Sequence, residues 1–134
     1  MSKKDYPLQL ALTEKTITTI DQQELCSKYK LQLHPAPLLV FVHGYGDQSE
    51  SMQQAMQWFF DKGYHVATFD LRGHGRSTGH RGYIADYERY SLDLHHVLTE
   101  LMVICQPTTL SLLTHSTGGL IASYYTLTHP KPLD

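Results

Sequence analysis

Ser116 ends an apolar run and is followed at once by small residues: the stretch from Leu112 to Leu120 reads LLTHSTGGL. A serine hydroxyl is a weak nucleophile until a base takes its proton and a third group orients that base. The local sequence suits such a role. A serine on a tight strand-to-helix turn projects above the sheet. Gly118 and Gly119 let the following helix come close, and the helix amino terminus turns free N–H groups toward the same point. Two further segments stand in the same relation to apolar runs: His43-Gly44-Tyr45-Gly46 after Leu38–Val42, and Asp70 to Ser77 after Tyr64–Phe69. Three loops at the carboxyl ends of three strands are where open α/β sheets place their sites.

The chain offers several histidines as a base. His115 adjoins Ser116, but neighbouring side chains diverge at a sharp turn. His74 and His80 are better placed, on the second loop, although the simpler reading is that they hold backbone or water there. His95 and His96 are consecutive on a helix, so they cannot share a site, and they read as surface residues. Asp70 and Arg72 read as residues that hold their loop through charge-assisted hydrogen bonds. Cys26 and Cys105 lack metal-ligand spacing and read as reduced packing cysteines. No metal and no cofactor is expected. The segment GHGRSTG is glycine-rich, but its spacing is G-x-G-x-x-x-G and no Gly-Lys-Ser/Thr occurs, which argues against nucleotide binding.

The elements that must position these loops are legible from periodicity. Residues 16–34 read as a hairpin, with Asp21–Glu24 as the turn and Tyr29, Leu31 and Leu33 as the buried side of its second strand. LLVFV, Leu38–Val42, is apolar at every position, as in a parallel strand covered on both faces. Asp47 and Glu50 have capping-box spacing before a helix whose stripe is Met52, Ala55, Met56, Phe59 and Phe60, with Gly63 ending it. Tyr64–Asp70 is the next strand. Asp86 is placed to cap a second helix striped with Tyr87, Tyr90, Leu94, Val97, Leu98, Leu101 and Ile104, which Pro107 stops. Thr109–Thr114 reads as a third buried strand, and Thr117–Thr128 as a last helix before Pro130. Hairpin, then strand–helix three times over, predicts an α/β fold with a mainly parallel sheet.

Composition bounds the rest. A chain of 134 residues with 41% hydrophobic and 18% charged residues is one globular domain with a real core. A net charge of -2 without a basic block argues against nucleic acid. The apolar patch Leu8–Leu12 is too short for a signal-peptide core, and no run reaches the length of a membrane span. A cytoplasmic protein is expected.

The segments FVHGYGDQSES, FDLRGHGRSTGHRGYI and LLTHSTGGL resemble the α/β-hydrolase superfamily, and within it the monoacylglycerol lipase and lysophospholipase group of serine-aminopeptidase-like hydrolases. The resemblance runs from about residue 17 to 130. It implies that Ser116 is the nucleophile, that the backbone N–H groups of Tyr45 and Thr117 form the oxyanion hole, and that His43 and Gly44 are structural. It departs at the first elbow position, where Thr114 replaces the usual glycine. In that family the acid, the catalytic histidine and the cap follow later strands. The resemblance therefore implies an amino-terminal half of the fold: one domain, 1–134, for small-molecule esters if completed, with the triad acid and histidine missing and no efficient turnover alone. The alternatives are a non-catalytic truncated product and a module that binds a second half through an exposed sheet edge. That edge is the strand Thr109–Thr114, where self-association is also expected.

Overall fold

The computed structural model describes residues 11–44, 52–81, 87–115 and 117–129. Eight elements follow in chain order: β1 (Thr13–Thr18), β2 (Glu24–Lys30), β3 (Leu38–Val42), α1 (Gln53–Asp61), β4 (His65–Phe69), α2 (Tyr87–Cys105), β5 (Leu110–Thr114) and α3 (Thr117–Thr128). The five strands form one sheet in the order β1-β2-β4-β3-β5. β1 and β2 pair antiparallel, as do β2 and β4, while β4, β3 and β5 run parallel. The sheet is therefore mixed: the hairpin is an antiparallel flank on a parallel core.

The two crossovers run in opposite directions. β3 to β4 moves toward the hairpin, and β4 to β5 moves back past β3. Right-handed connections then place α1 on one face and α2 on the other. The packing agrees with the alternation of β3. Leu38, Val40 and Val42 meet α2 and α3 residues such as Leu94, Leu98 and Ile121. Leu39 and Phe41 meet Met56, Phe59 and Phe60 of α1. All five residues of β3 are buried, as its uninterrupted apolar run requires. Burying a Leu, Val or Phe side chain stabilises by about 1.5–3 kcal/mol, so this central strand anchors both faces.

The expected elements are all present, with some differences: β1 begins already at Thr13, and β4 and β5 are shorter than expected. β2 ends at Lys30; Leu25 and Ser27 are its buried residues, Tyr29 and Leu31 pack partly buried against the same core as expected, and Leu33 lies fully exposed beyond the strand. The turn is Thr19–Gln23, with Gln22 at φ 67 and the Thr19 hydroxyl held by Asp21 at 2.6 Å. β5 is not buried like the other two parallel strands: only Leu110 is, because β5 pairs with β3 alone among the described residues. Met56 is the one fully buried residue of α1, whose stripe otherwise packs half-buried. Its N-cap is Met52, which makes no side-chain cap hydrogen bond, and after the C-cap Lys62 the chain turns at Gly63 with φ 101. Asp47, Glu50, Asp86 and Pro130 lie outside the described residues.

Candidate functional site

The register of the sheet sets the site. Val42 lies opposite Phe69 of β4 on one side and Thr114 of β5 on the other. The three strands thus end in one row, and neighbouring strands are about 4.8 Å apart. The loops that begin at His43, Asp70 and His115 therefore issue side by side. β3 leads to α1 on one face, while both its neighbours lead to helices on the opposite face. This reversal opens a crevice at the carboxyl end of β3.

His43 is fully buried and joins two of these loops. Its Nε2 accepts the Leu71 backbone N–H at 2.8 Å, so the proton sits on Nδ1, which donates to the Gly44 carbonyl at 2.7 Å. The imidazole lies against that of His74, with ring centroids 5.4 Å apart. His74 is buried as well, and its Nδ1 donates to the Arg72 carbonyl at 3.0 Å. His80 is exposed on the same loop. His115 is exposed, and its N–H donates to the Val42 carbonyl at 3.1 Å.

The loop after β4 is fastened from within. One Asp70 carboxylate oxygen accepts the Arg76 N–H at 3.1 Å, and the Ser77 hydroxyl donates to the Asp70 carbonyl at 2.5 Å. Ser77 in turn accepts the Cys26 N–H at 2.9 Å, tying the loop to β2. Gly75, at φ 48, lies so close that a Cβ there would stand 2.5 Å from the Asp70 Cγ. Arg72 faces two carboxylates at once: Nε and Nη2 donate to Asp93 at 2.8 Å each, and Nη1 and Nη2 to Asp21 at 2.5 and 2.8 Å. The hairpin turn, the loop and α2 are thereby held at one guanidinium. The hydrogen bond from Arg72 keeps the Asp21 carboxyl well below the usual carboxylate range. Burial pushes Asp93 up, with Arg72 pulling the other way.

The turn into α3 presses against β3. A Cβ on Gly118 would lie 2.5 Å from the Val42 carbonyl oxygen and 2.7 Å from that of His43. The first turn of α3 thus rides directly on the backbone at the end of β3, a separation only glycine allows. Gly119 looks instead toward Thr114, whose Oγ1 would be 3.3 Å from such a Cβ. Ser116 and Tyr45 lie outside the described residues. Thr117 opens α3, and in its first turn the Gly118 N–H donates to the His115 carbonyl at 3.0 Å. No cluster of three or more His, Cys, Asp or Glu side chains that could hold a metal occurs among the described residues.

Sequence reasoning missed the hydrogen bond from Leu71 to His43, the Ser77 tie to β2, and Asp21 and Asp93 as partners of Arg72. The last three residues are far apart in the chain and carry no local pattern, so only a charge count would have hinted at them.

The profile of the family described as "Serine aminopeptidase, S33" matches residues 34–134. A probable lysophospholipase of Haemophilus influenzae is 30% identical over 91 residues, which are 66% of this chain and 29% of that protein. A bifunctional esterase/perhydrolase of Acinetobacter calcoaceticus is 34% identical over 100 residues, 72% of this chain and 33% of that protein. An esterase of Pyrococcus furiosus superposes with a TM-score of 0.80 at 24% identity, over 99% of this chain and 52% of its own. The chain therefore spans about a third of the length of these curated relatives, and about half of that solved structure. No described helix is long and apolar enough to cross a membrane. The matched profile places this chain in the serine aminopeptidase S33 family of serine-type hydrolases, and the superposition shows the α/β-hydrolase fold.

Proposed function

We propose that the chain carries the nucleophile and oxyanion segments of a serine ester hydrolase, for acylglycerol- or lysophospholipid-type esters, working in the cytoplasm. The observation that supports it best is the row Phe69–Val42–Thr114, with Gly118 packed onto the carbonyls of Val42 and His43. This brings the loop before Tyr45 and the start of α3 to one point. In this reading the Ser116 Oγ attacks the ester carbonyl carbon and a base takes its proton. The N–H groups of Tyr45 and Thr117 receive the charge on the carbonyl oxygen, the alcohol leaves with the base's proton, and water then cleaves the acyl-serine. The substrate class rests on relatives named as lysophospholipase and esterase.

The base and its orienting acid come from outside these 134 residues in this reading. His74 has its Nδ1 committed to the Arg72 carbonyl and its ring packed on His43. The chain alone then turns esters over poorly, since without triad members only about 10³–10⁴-fold acceleration over water remains. The test is labelling of Ser116 by a fluorophosphonate, with and without a complementing carboxyl-terminal half from a related hydrolase, beside Ser116→Ala. Labelling that rises with the added half and vanishes in the variant is expected. Equal labelling with and without it would place the base within this chain.

A further inference from the structure

We propose that His95, Tyr125 and His129 form a pH-sensitive clasp, in which neutral imidazoles hold the carboxyl-terminal end of α3 against α2 and proton uptake releases that end. The two ends of α3 are fixed by different chemistry. Near its start, Gly118 rests on the carbonyls of Val42 and His43, and Ile121 is fully buried in the core. Near its end, a group of rings joins it to α2. Tyr125 is 1% exposed, and its hydroxyl lies 3.1 Å from Nδ1 of His95. The His129 imidazole stacks on both partners. Its centroid is 4.5 Å from the Tyr125 ring at 17°, and 4.7 Å from the His95 ring at 22°.

The hydrogen bonds fix which protons these rings carry. A phenol keeps its proton far above neutral pH, and burial raises the Tyr125 pKa further. Its hydroxyl therefore donates and His95 Nδ1 accepts, which leaves the proton of the neutral imidazole on Nε2. The Thr128 hydroxyl donates to the Tyr124 carbonyl at 2.9 Å, so its oxygen accepts from His129 Nδ1 at 3.0 Å. The lone pair of His129 is then on Nε2.

A second proton on His95 goes to Nδ1, and both ring nitrogens then donate. The bond to Tyr125 must reverse. The phenolic hydrogen loses its acceptor, and no other occurs for it among the described residues. A buried polar hydrogen left unpaired destabilises the packed form. A proton on His129 Nε2 puts a second charge on a ring 4.7 Å from the first.

Opposite charge does not offset this. α3 contains no Asp, Glu, Lys or Arg. Neither imidazole pairs with a carboxylate among the described residues. On α2 itself, the charge of His96 adds to the repulsion at His95. Asp93 and Glu100 stand beside His96 instead: Asp93 shares a small cavity with it, and Glu100 is one turn beyond it. Burial among the rings, and then the charges of His129 and His96, lower the His95 pKa. The released form therefore binds the proton more readily than the clasped one. The clasp is strongest above about pH 6.5, the value of an open imidazole, and weakens as pH falls through the clasped value. Each unit of lowering is worth about tenfold in the opening equilibrium.

Hydrogen exchange on the purified chain at pH 7.5 and 5, read as protection factors so that the intrinsic pH dependence of exchange cancels, tests this. On acidification the amides of Tyr124 to His129 should lose about tenfold in protection relative to those of Val40 and Phe41 in β3. His129→Phe keeps a ring in the stack and removes one titrating group. His95→Gln keeps an acceptor for the Tyr125 hydroxyl and cannot take up a proton. Each variant should match the parent at pH 7.5 and lose less protection at pH 5. The double variant should respond no more than β3 does. Ser116→Ala should change none of this, which separates the result from the fate of the proposed nucleophile. No loss of protection in the parent, a loss shared equally by β3, or variants that respond as the parent does would each overturn the proposal.

Discussion

Gly118 and Gly119 are consecutive, both in the first turn of α3, and the structure assigns them opposite responses to the same substitution. Ala is favoured over Gly in a helix interior by about 1 kcal/mol, and both changes gain from that term. At Gly119 the new methyl stands 3.3 Å from the Thr114 Oγ1, the end of a side chain that can yield by a few tenths of an ångström. At Gly118 it would stand 2.5 and 2.7 Å from two backbone carbonyl oxygens of β3 and its loop. Neither can move without disturbing the buried strand, so α3 must shift outward by roughly 0.5–1 Å, and overpacking of this kind costs about 1–3 kcal/mol. The strain outweighs the propensity, giving Gly118→Ala a net loss of up to about 2 kcal/mol, while Gly119→Ala is neutral or gains up to about 1 kcal/mol. Thermal melting separates the two, since 1 kcal/mol is worth roughly 3–6 °C in a domain of this size. The same shift displaces the start of α3, and if Ser116 is the nucleophile as proposed, a misplacement of about 1 Å costs on the order of 10²-fold in rate, so fluorophosphonate labelling of a complemented Gly118→Ala chain should slow in parallel. A Gly118→Ala chain as stable as the parent, or equal melting shifts for both variants, would show that α3 does not rest on the carbonyls of Val42 and His43.

Three further outcomes follow from the buried polar groups. Arg72→Met strands the buried Asp93 carboxylate and should cost about 3–5 kcal/mol in urea unfolding at neutral pH. Part of that loss should return toward pH 5, because without its guanidinium partner the burial-raised carboxyl takes up a proton; a loss that does not change with pH would refute the assignment. His65 accepts the Gln32 N–H on Nδ1 at 2.9 Å and its pKa is lowered, first by burial and then by the charge of His34. The unfolded chain therefore binds that proton more readily, so stability should fall as pH drops below about 6.5 and through the folded value. Urea midpoints between pH 7.5 and 5 should show a shallower slope in His65→Gln. Cys105 is buried and its thiol is pushed up to about 11, so iodoacetamide should modify it only as the chain unfolds; alkylation at the rate of a free thiol in the native chain would contradict its burial between α2 and the sheet.

The sequence alone determined the parts whose cause is local. The unbroken apolar run Leu38–Val42 suits a strand covered on both faces, and the stripe from Tyr90 to Leu101 suits one face of a helix, as the structure has them. The glycines after Ser116 and the His-Gly pair pointed to the crevice through their spacing in the chain. What depends on elements meeting was not legible. Leu33 continues the alternation of β2 but lies beyond the last paired residue, where no sheet is left to cover it. Thr109–Thr114 reads as a buried strand, yet β5 beyond Leu110 is half-exposed, because among the described residues only β3 pairs with it. Arg72 could be read as holding its loop, but its choice of Asp21 and Asp93 was made by the crossover that brings the hairpin turn and α2 to the same loop. The tautomer of His43 was likewise fixed by the Leu71 N–H across a strand boundary. Periodicity and turn chemistry act between residues a few positions apart, so the chain shows them directly. Strand order, edges and long-range ion pairs depend on which distant surfaces bury each other, and only the assembled sheet decides that.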